Sequence, residues 1–133
     1  MRKILLAEDD YYIRDIYSMV FSKYPQYELQ VVVDGAEAIE KIKSTSYDLI
    51  LLDIMMPKYT GVDVLKVLRS LPPSVSQTPV YIMTNLSKQD VLDELNKIGI
   101  EGYFIKSEVT PLDMMEKIKI FFDQKQIDSP VTS

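Results

Sequence analysis

The chain has 133 residues, 47% of them apolar and 26% charged, which suits one domain with a sizeable core. A net charge of -5 and a pI near 4.7 argue against non-specific binding to nucleic acid or anionic membranes. Neither cysteine nor histidine occurs, so disulfides, thiol nucleophiles, imidazole bases, Ser-His-Asp triads and thiolate or imidazole metal sites are excluded. Any chemistry must come from carboxylates, hydroxyls, lysine, arginine or a borrowed ion. No apolar run reaches the ~18 residues of a membrane span, and Met1-Arg2-Lys3 leads straight into a strand-like run. No membrane insertion and no signal peptide are therefore expected, and a cytoplasmic location is.

In chain order, the first element is the short aliphatic run Ile4-Leu5-Leu6-Ala7, followed by a helical stripe at Ile13, Ile16, Tyr17, Val20, Phe21 and Tyr24. Val31-Val32-Val33 is the second run, and Ala36, Ile39 and Ile42 space a weaker helix behind Asp34-Gly35. Leu49-Ile50-Leu51-Leu52 is the third, with a helix carrying Val64, Leu65, Leu68 and Leu71 after Gly61. A Pro/Ser-rich stretch from Leu71 to Pro79 reads as a mobile surface loop before Val80-Tyr81-Ile82-Met83. Val91, Leu92, Leu95 and Ile98 stripe a fourth helix, closed by Gly99. Tyr103-Phe104-Ile105 is the last run, and Pro111 opens a helix with Met114, Met115, Ile118, Phe121 and Phe122 as core. Unbroken apolar runs fit strands buried on both faces, as in a parallel sheet. The alternation predicts an α/β fold: a three-layer (βα)5 sandwich, its five-stranded parallel sheet covered by helices on both faces. One domain over 1–123 and a frayed, disordered tail over 124–133 are expected.

Ligands of open parallel α/β sheets bind outside the carboxyl ends of the strands. The residues standing there are Glu8, Asp9 and Asp10, then Asp53, then Thr84 and Asn85, then Lys106. Singly, a carboxylate after a strand is a helix cap or a solvated loop group; Asp10 reads as the cap of the first helix. Together they crowd like charges, and two unit charges ~4 Å apart repel by about 4 kcal/mol at an effective dielectric near 20. Lys106 offsets one charge. A hard divalent cation suits the rest, and an all-oxygen site points to Mg²⁺, for which Mn²⁺ could substitute. Acids, a lysine and a hydroxyl around such an ion spell phosphoryl chemistry with a carboxylate nucleophile.

Lys3-Ile4-Leu5-Leu6-Ala7-Glu8-Asp9-Asp10 resembles the opening of the receiver domain of two-component response regulators. Asp48-Leu49-Ile50-Leu51-Leu52-Asp53-Ile54-Met55-Met56-Pro57, with Gly61, resembles its phosphoacceptor segment, and Thr84 and Lys106 complete the family's invariant set. The resemblance covers about residues 2 to 122 and is to the stand-alone, chemotaxis-type receiver. It implies a flavodoxin-like fold with strand order 2-1-3-4-5 and Asp53 as the phosphoacceptor attacking a phosphohistidine. It also implies Mg²⁺ held by Glu8, Asp9, Asp53 and the Met55 backbone carbonyl, with Lys106 on the phosphoryl oxygens. Thr84 and Tyr103 would be the switch that reshapes the face of the fourth helix, fifth strand and fifth helix. Implied partners are a sensor histidine kinase or phosphotransfer protein and an unidentified downstream protein target, with a homodimer through that same face. Only ten residues follow Asp123, so no direct DNA binding is expected.

Two departures stand out. Where the family commonly has proline after the lysine, often with a cis bond, this chain has Ser107, and a cis bond without proline costs about 3 kcal/mol. The first pocket acid is Glu rather than Asp. Met55 and Leu86, two residues beyond Asp53 and Thr84, are bulky and apolar, which predicts slow attack by water and a long-lived phosphorylated form. The chain is then no turnover enzyme, promoting only its own phosphorylation and dephosphorylation. An aspartate-nucleophile, Mg²⁺-dependent phosphohydrolase would typically place a second Asp where Met55 stands. A flavin-binding domain would need a Ser/Thr/Gly-rich loop where Glu8-Asp9-Asp10 would repel phosphate. The remaining rival is a phosphorylation-independent interaction module.

Overall fold

The computed structural model describes residues 1–85 and 88–128, with backbone alone at 126–128; Leu86, Ser87 and 129–133 lie outside the described residues. The strands are Arg2–Ala7 (β1), Tyr27–Val32 (β2), Leu49–Asp53 (β3), Val80–Thr84 (β4) and Gly102–Ile105 (β5); each contains one of the five apolar runs, except that β2 starts at Tyr27, ahead of Val31-Val32-Val33, and leaves the exposed Val33 outside. All pair in parallel, in the order β2-β1-β3-β4-β5. Alternate strand residues serve opposite faces. Leu5, Ala7, Ile50, Leu52, Val80 and Ile82 meet the helices Gly35–Ser44 (α2), Gly61–Ser70 (α3) and Gln89–Ile98 (α5) through Ala38, Ile42, Leu65, Leu68, Leu92 and Leu95. Ile4, Leu6, Leu49, Leu51 and Met83 meet Tyr11–Phe21 (α1) and Pro111–Asp128 (α6) through Tyr17, Phe21, Met114, Met115, Ile118 and Phe122. The three-layer α/β sandwich of the sequence is the observed fold.

Register then places the site. Ala7 lies opposite Leu52, Asp53 opposite Met83, and Thr84 opposite Ile105, so Glu8, Asp53, Thr84 and Lys106 arrive together at one edge. Burial on both faces holds for the three inner strands; every residue of β3 is buried. The edge strands depart from it, with most of β2 and β5 only partly covered and Tyr103 45% exposed. An edge strand has one neighbour, and its helices overlap it less.

Four local expectations are corrected. The Pro/Ser stretch contains a one-turn helix, Pro73–Ser76 (α4), because the Pro72 carbonyl accepts from the Val75 and Ser76 N–H groups at 2.8 and 2.9 Å. The half-buried Arg69 guanidinium donates to the Ser76, Thr78 and Gly99 carbonyls and ties this segment down. The last helix runs to Asp128 rather than ending near Asp123, since Gln124 and Lys125 are good helix formers; the rest of the expected tail, 129–133, lies outside the described residues. In α2 the buried alanine is Ala38, not Ala36, and in α1 Ile16 points outward. Among the described residues no helix is long and apolar enough to cross a membrane.

Candidate functional site

Each site residue sits at an element end for a local reason. Asp10 caps α1: its Oδ1 accepts the N–H groups of Tyr12 and Ile13 at 2.8 and 3.4 Å, which starts the helix directly behind Glu8 and Asp9. Arg14, a residue the sequence reading passed over, donates to the Glu8 and Asp9 carbonyls at 3.0 and 2.6 Å and holds that turn. No spacing signal marks such a cation, whose partners are backbone oxygens. Asp53 ends β3 almost fully buried. Its Oδ1 accepts the Met55 N–H at 3.1 Å, bending the chain back over the carboxylate. Gly61 lets α3 begin against the Asp53 backbone.

Carboxylate oxygens of Glu8, Asp9 and Asp53 lie within 4.8 Å of one another. Between two of them stands Lys106, whose Nζ is 2.8 Å from Asp53 Oδ2 and 2.6 Å from Glu8 Oε2. Glu8 is fully buried, and its Oε1 also accepts the Asp10 N–H at 3.1 Å. Burial, with the Asp53 charge adding to it, pushes the Glu8 carboxyl up to about 7 against the pull of Lys106 and the Asp10 N–H. Burial pulls the Lys106 ammonium down, but its bonds to Asp53 and Glu8 outweigh this and leave it raised. Tyr17, on the adjoining face of α1, is pushed up to about 12 by burial and then by the Glu8 charge. Thr84 ends β4 fully buried, and Asn85 and the exposed Met55 line the mouth of the acid pocket. Tyr103 lies two strand positions away, half-exposed.

The structure thus brings together Glu8, Asp9, Asp53 and Lys106, with Thr84 and Met55 beside them. Leu86 lies outside the described residues. The crowded carboxylates make an all-oxygen donor set suited to a hard divalent cation, and one lysine cannot offset three acids.

The chain matches the family described as the response regulator receiver domain over residues 4–119. It belongs to that family. Among curated relatives of this receiver domain, Response regulator ArlR of Staphylococcus saprophyticus is 30% identical over 118 residues, covering 87% of the chain and 49% of that protein. Transcriptional regulatory protein CpxR of Escherichia coli is 41% identical over 110 residues, covering 80% of the chain and 43% of that protein. Sporulation initiation phosphotransferase F of Bacillus subtilis is 30% identical over 114 residues, 86% of each chain. The receiver domain spans 49%, 23% and 34% of the first three curated relatives. Among solved structures, the Francisella response regulator 1452 receiver domain superposes with a TM-score of 0.81 at 29% identity, covering 94% of this chain and 99% of that one. A CheY-like receiver from Methanospirillum hungatei gives 0.84 at 25% identity, covering 97% and 99%. Receiver domains are signalling modules rather than turnover enzymes, which agrees with a pocket that has Met55 where a phosphohydrolase would place its second acid.

Proposed function

We propose that this receiver domain is a phosphorylation-operated switch, with Asp53 as its phosphoacceptor. The observation that carries the reading is Lys106 bridging Asp53 and Glu8 at the carboxyl edge of the sheet. An Asp53 carboxylate oxygen attacks the phosphorus of a phosphohistidine on a histidine kinase or phosphotransfer protein. The P–N bond breaks, the imidazole leaves with its electron pair, and an acyl phosphate forms. Glu8, Asp9, Asp53 and the Met55 carbonyl would hold Mg²⁺, which neutralises charge on the transferring group. Lys106 already rests on the Asp53 oxygen and can follow the charge onto the phosphoryl oxygens. Thr84, at the end of β4, offers them its hydroxyl.

Tyr103, half-exposed on the edge strand, would move inward as Thr84 shifts, which would alter the face formed by α5, β5 and α6. These are the fourth helix, fifth strand and fifth helix of the sequence reading, since α4 takes a number. That face would meet the downstream protein or a second copy. Relay is a second output, and the similarity to a protein named a phosphotransferase, covered at 86% of its length, supports it.

The test is intact-mass spectrometry after incubation with acetyl phosphate and Mg²⁺. One phosphoryl adduct on wild type, absent in Asp53→Asn and without Mg²⁺, is expected. If folded wild-type protein gains no adduct from acetyl phosphate or from a phosphorylated kinase, the phosphorylation-independent module takes its place.

A further inference from the structure

The β4 and β5 ladder closes at Thr84 opposite Ile105. Just past it, the Ser107 N–H donates to Asn85 Oδ1 at 3.0 Å. One partner of this bond directly follows Thr84 and the other directly follows Lys106. Lys106 opens a single three-residue 3-10 turn, Lys106–Glu108, and no described peptide bond is cis. Among the described residues, Asn85 makes the one side-chain hydrogen bond to the backbone of that turn. A proline at 107 would have no N–H to donate and would disfavour helical backbone at Lys106. Asn85 and a residue other than proline at 107 are therefore needed together for this bond. Asn85 also lines the pocket beside Asp53, Glu8 and Lys106.

We propose that Asn85 is a positioning residue for phosphoryl transfer: by holding the Ser107 N–H it fixes the turn from which Lys106 reaches Asp53 and Glu8. The inference rests on the receiver reading above. Transfer is sensitive to such placement, since a misplacement of about 1 Å can cost ~100-fold in rate. The lysine stem is flexible, so the base of that stem must be set by the backbone.

The experiment compares the 133-residue wild type, Asn85→Ala, Lys106→Ala and the double variant in saturating Mg²⁺. The second-order rate constant with acetyl phosphate is read by intact mass, alongside melting temperature and NMR exchange of the Ser107 amide proton. Asn85→Ala is expected to expose the Ser107 amide and slow phosphorylation about tenfold with the melting temperature nearly unchanged. In the Lys106→Ala background the same substitution should change the rate less than about twofold, because Asn85 acts through the lysine. Asn85→Asp, which keeps an acceptor oxygen, should keep the Ser107 amide protected. An unprotected Ser107 amide in wild type overturns the proposal. So does a lost bond with an unchanged rate, or an equal slowing with and without Lys106. If wild type takes up no phosphoryl group from acetyl phosphate or from a phosphorylated kinase while its Ser107 amide is protected, the phosphoacceptor reading fails first and the positioning role with it.

Discussion

At Gly61 a Cβ would stand 2.5 Å from the Asp53 carbonyl oxygen and 2.8 Å from the Ile54 Cα, both backbone atoms that cannot swing aside. Gly61→Ala must therefore push α3 away from the end of β3. We expect a loss of roughly 1–3 kcal/mol in denaturant unfolding, the range for overpacked sites, together with slower phosphorylation of Asp53. Lys58 poses the opposite problem: it has room but adopts φ 71 in the loop after Asp53, a conformation glycine takes at lower cost. Met55 is exposed at the edge of the acid pocket. On the proposed reading, Met55→Asn supplies a polar group that can orient the water attacking the acyl phosphate. By orienting that water it should shorten the phosphoryl half-life about several-fold, as followed by decay of the mass adduct. A half-life of seconds in the wild type would refute the shielding argument.

Among the elements, α3 is started by a reciprocal cap in which the Asp63 N–H donates to Thr60 Oγ1 at 3.2 Å and the Thr60 N–H to Asp63 Oδ2 at 3.1 Å. The same Thr-x-x-Asp device opens α6 with Thr110 and Asp113. Thr60→Ala should cost about 1 kcal/mol, the usual worth of an N-cap, measured by urea unfolding. Helix α2 is capped by Asp34, which accepts the Glu37 N–H at 2.8 Å and pairs with the Lys58 ammonium at 3.3 Å. The Glu37 N–H bond foremost, with Lys58 behind it, holds the Asp34 carboxyl below its ordinary value of 3.8 despite opposing desolvation. A depressed folded value means the stabilisation is present above about pH 4 and is lost as pH falls through the folded pKa. Asp34→Asn should flatten the acid limb of a stability-versus-pH curve below pH ~4 and leave neutral-pH slopes unchanged. An unaltered acid limb would show that Asp34 is not the group responsible. This cap also steadies the loop after Asp53, since Gly35 lies against Tyr59 with no space for a Cβ.

For the whole molecule, the sheet divides two cores and leaves one edge for charge. That edge carries an electrostatic cost which the helices cannot relieve. On the proposed reading, Mg²⁺ stabilises the fold: at ten times its Kd the expected gain is about 1.4 kcal/mol. Thermal melts should rise with Mg²⁺ in wild type and respond much less in Asp9→Asn. An equal response in both would remove Asp9 from the ligand set. The half-exposed Tyr103 on an edge strand places the proposed readout face where packing is thinnest.

Much of this was legible in the chain itself. Short aliphatic runs alternating with 3.6-residue stripes specify strands, helices and a parallel sheet, because burial on two faces and on one stripe need different periods. Chemistry-bearing residues fall directly after those runs, so Glu8, Asp9, Asp53, Thr84 and Lys106 could be gathered before any coordinates. What local pattern could not carry were bonds to backbone atoms and contacts at the sheet's margins. Periodicity does not tell an edge strand from an inner one, so the exposure of Tyr103 was missed. The Pro72 turn, the Arg69 clamp and the run of α6 to Asp128 depend on carbonyls and helix propensity rather than on apolar spacing. The sequence determines the kind and order of the elements and which polar residues stand next to the strand ends, since both follow from local hydrophobic order. Only the tertiary structure decides that Lys106 bridges Asp53 and Glu8 and that Ser107 leans on Asn85, because hydrogen bonds spanning 53 and 22 residues exist only once the register of the sheet has closed the distance.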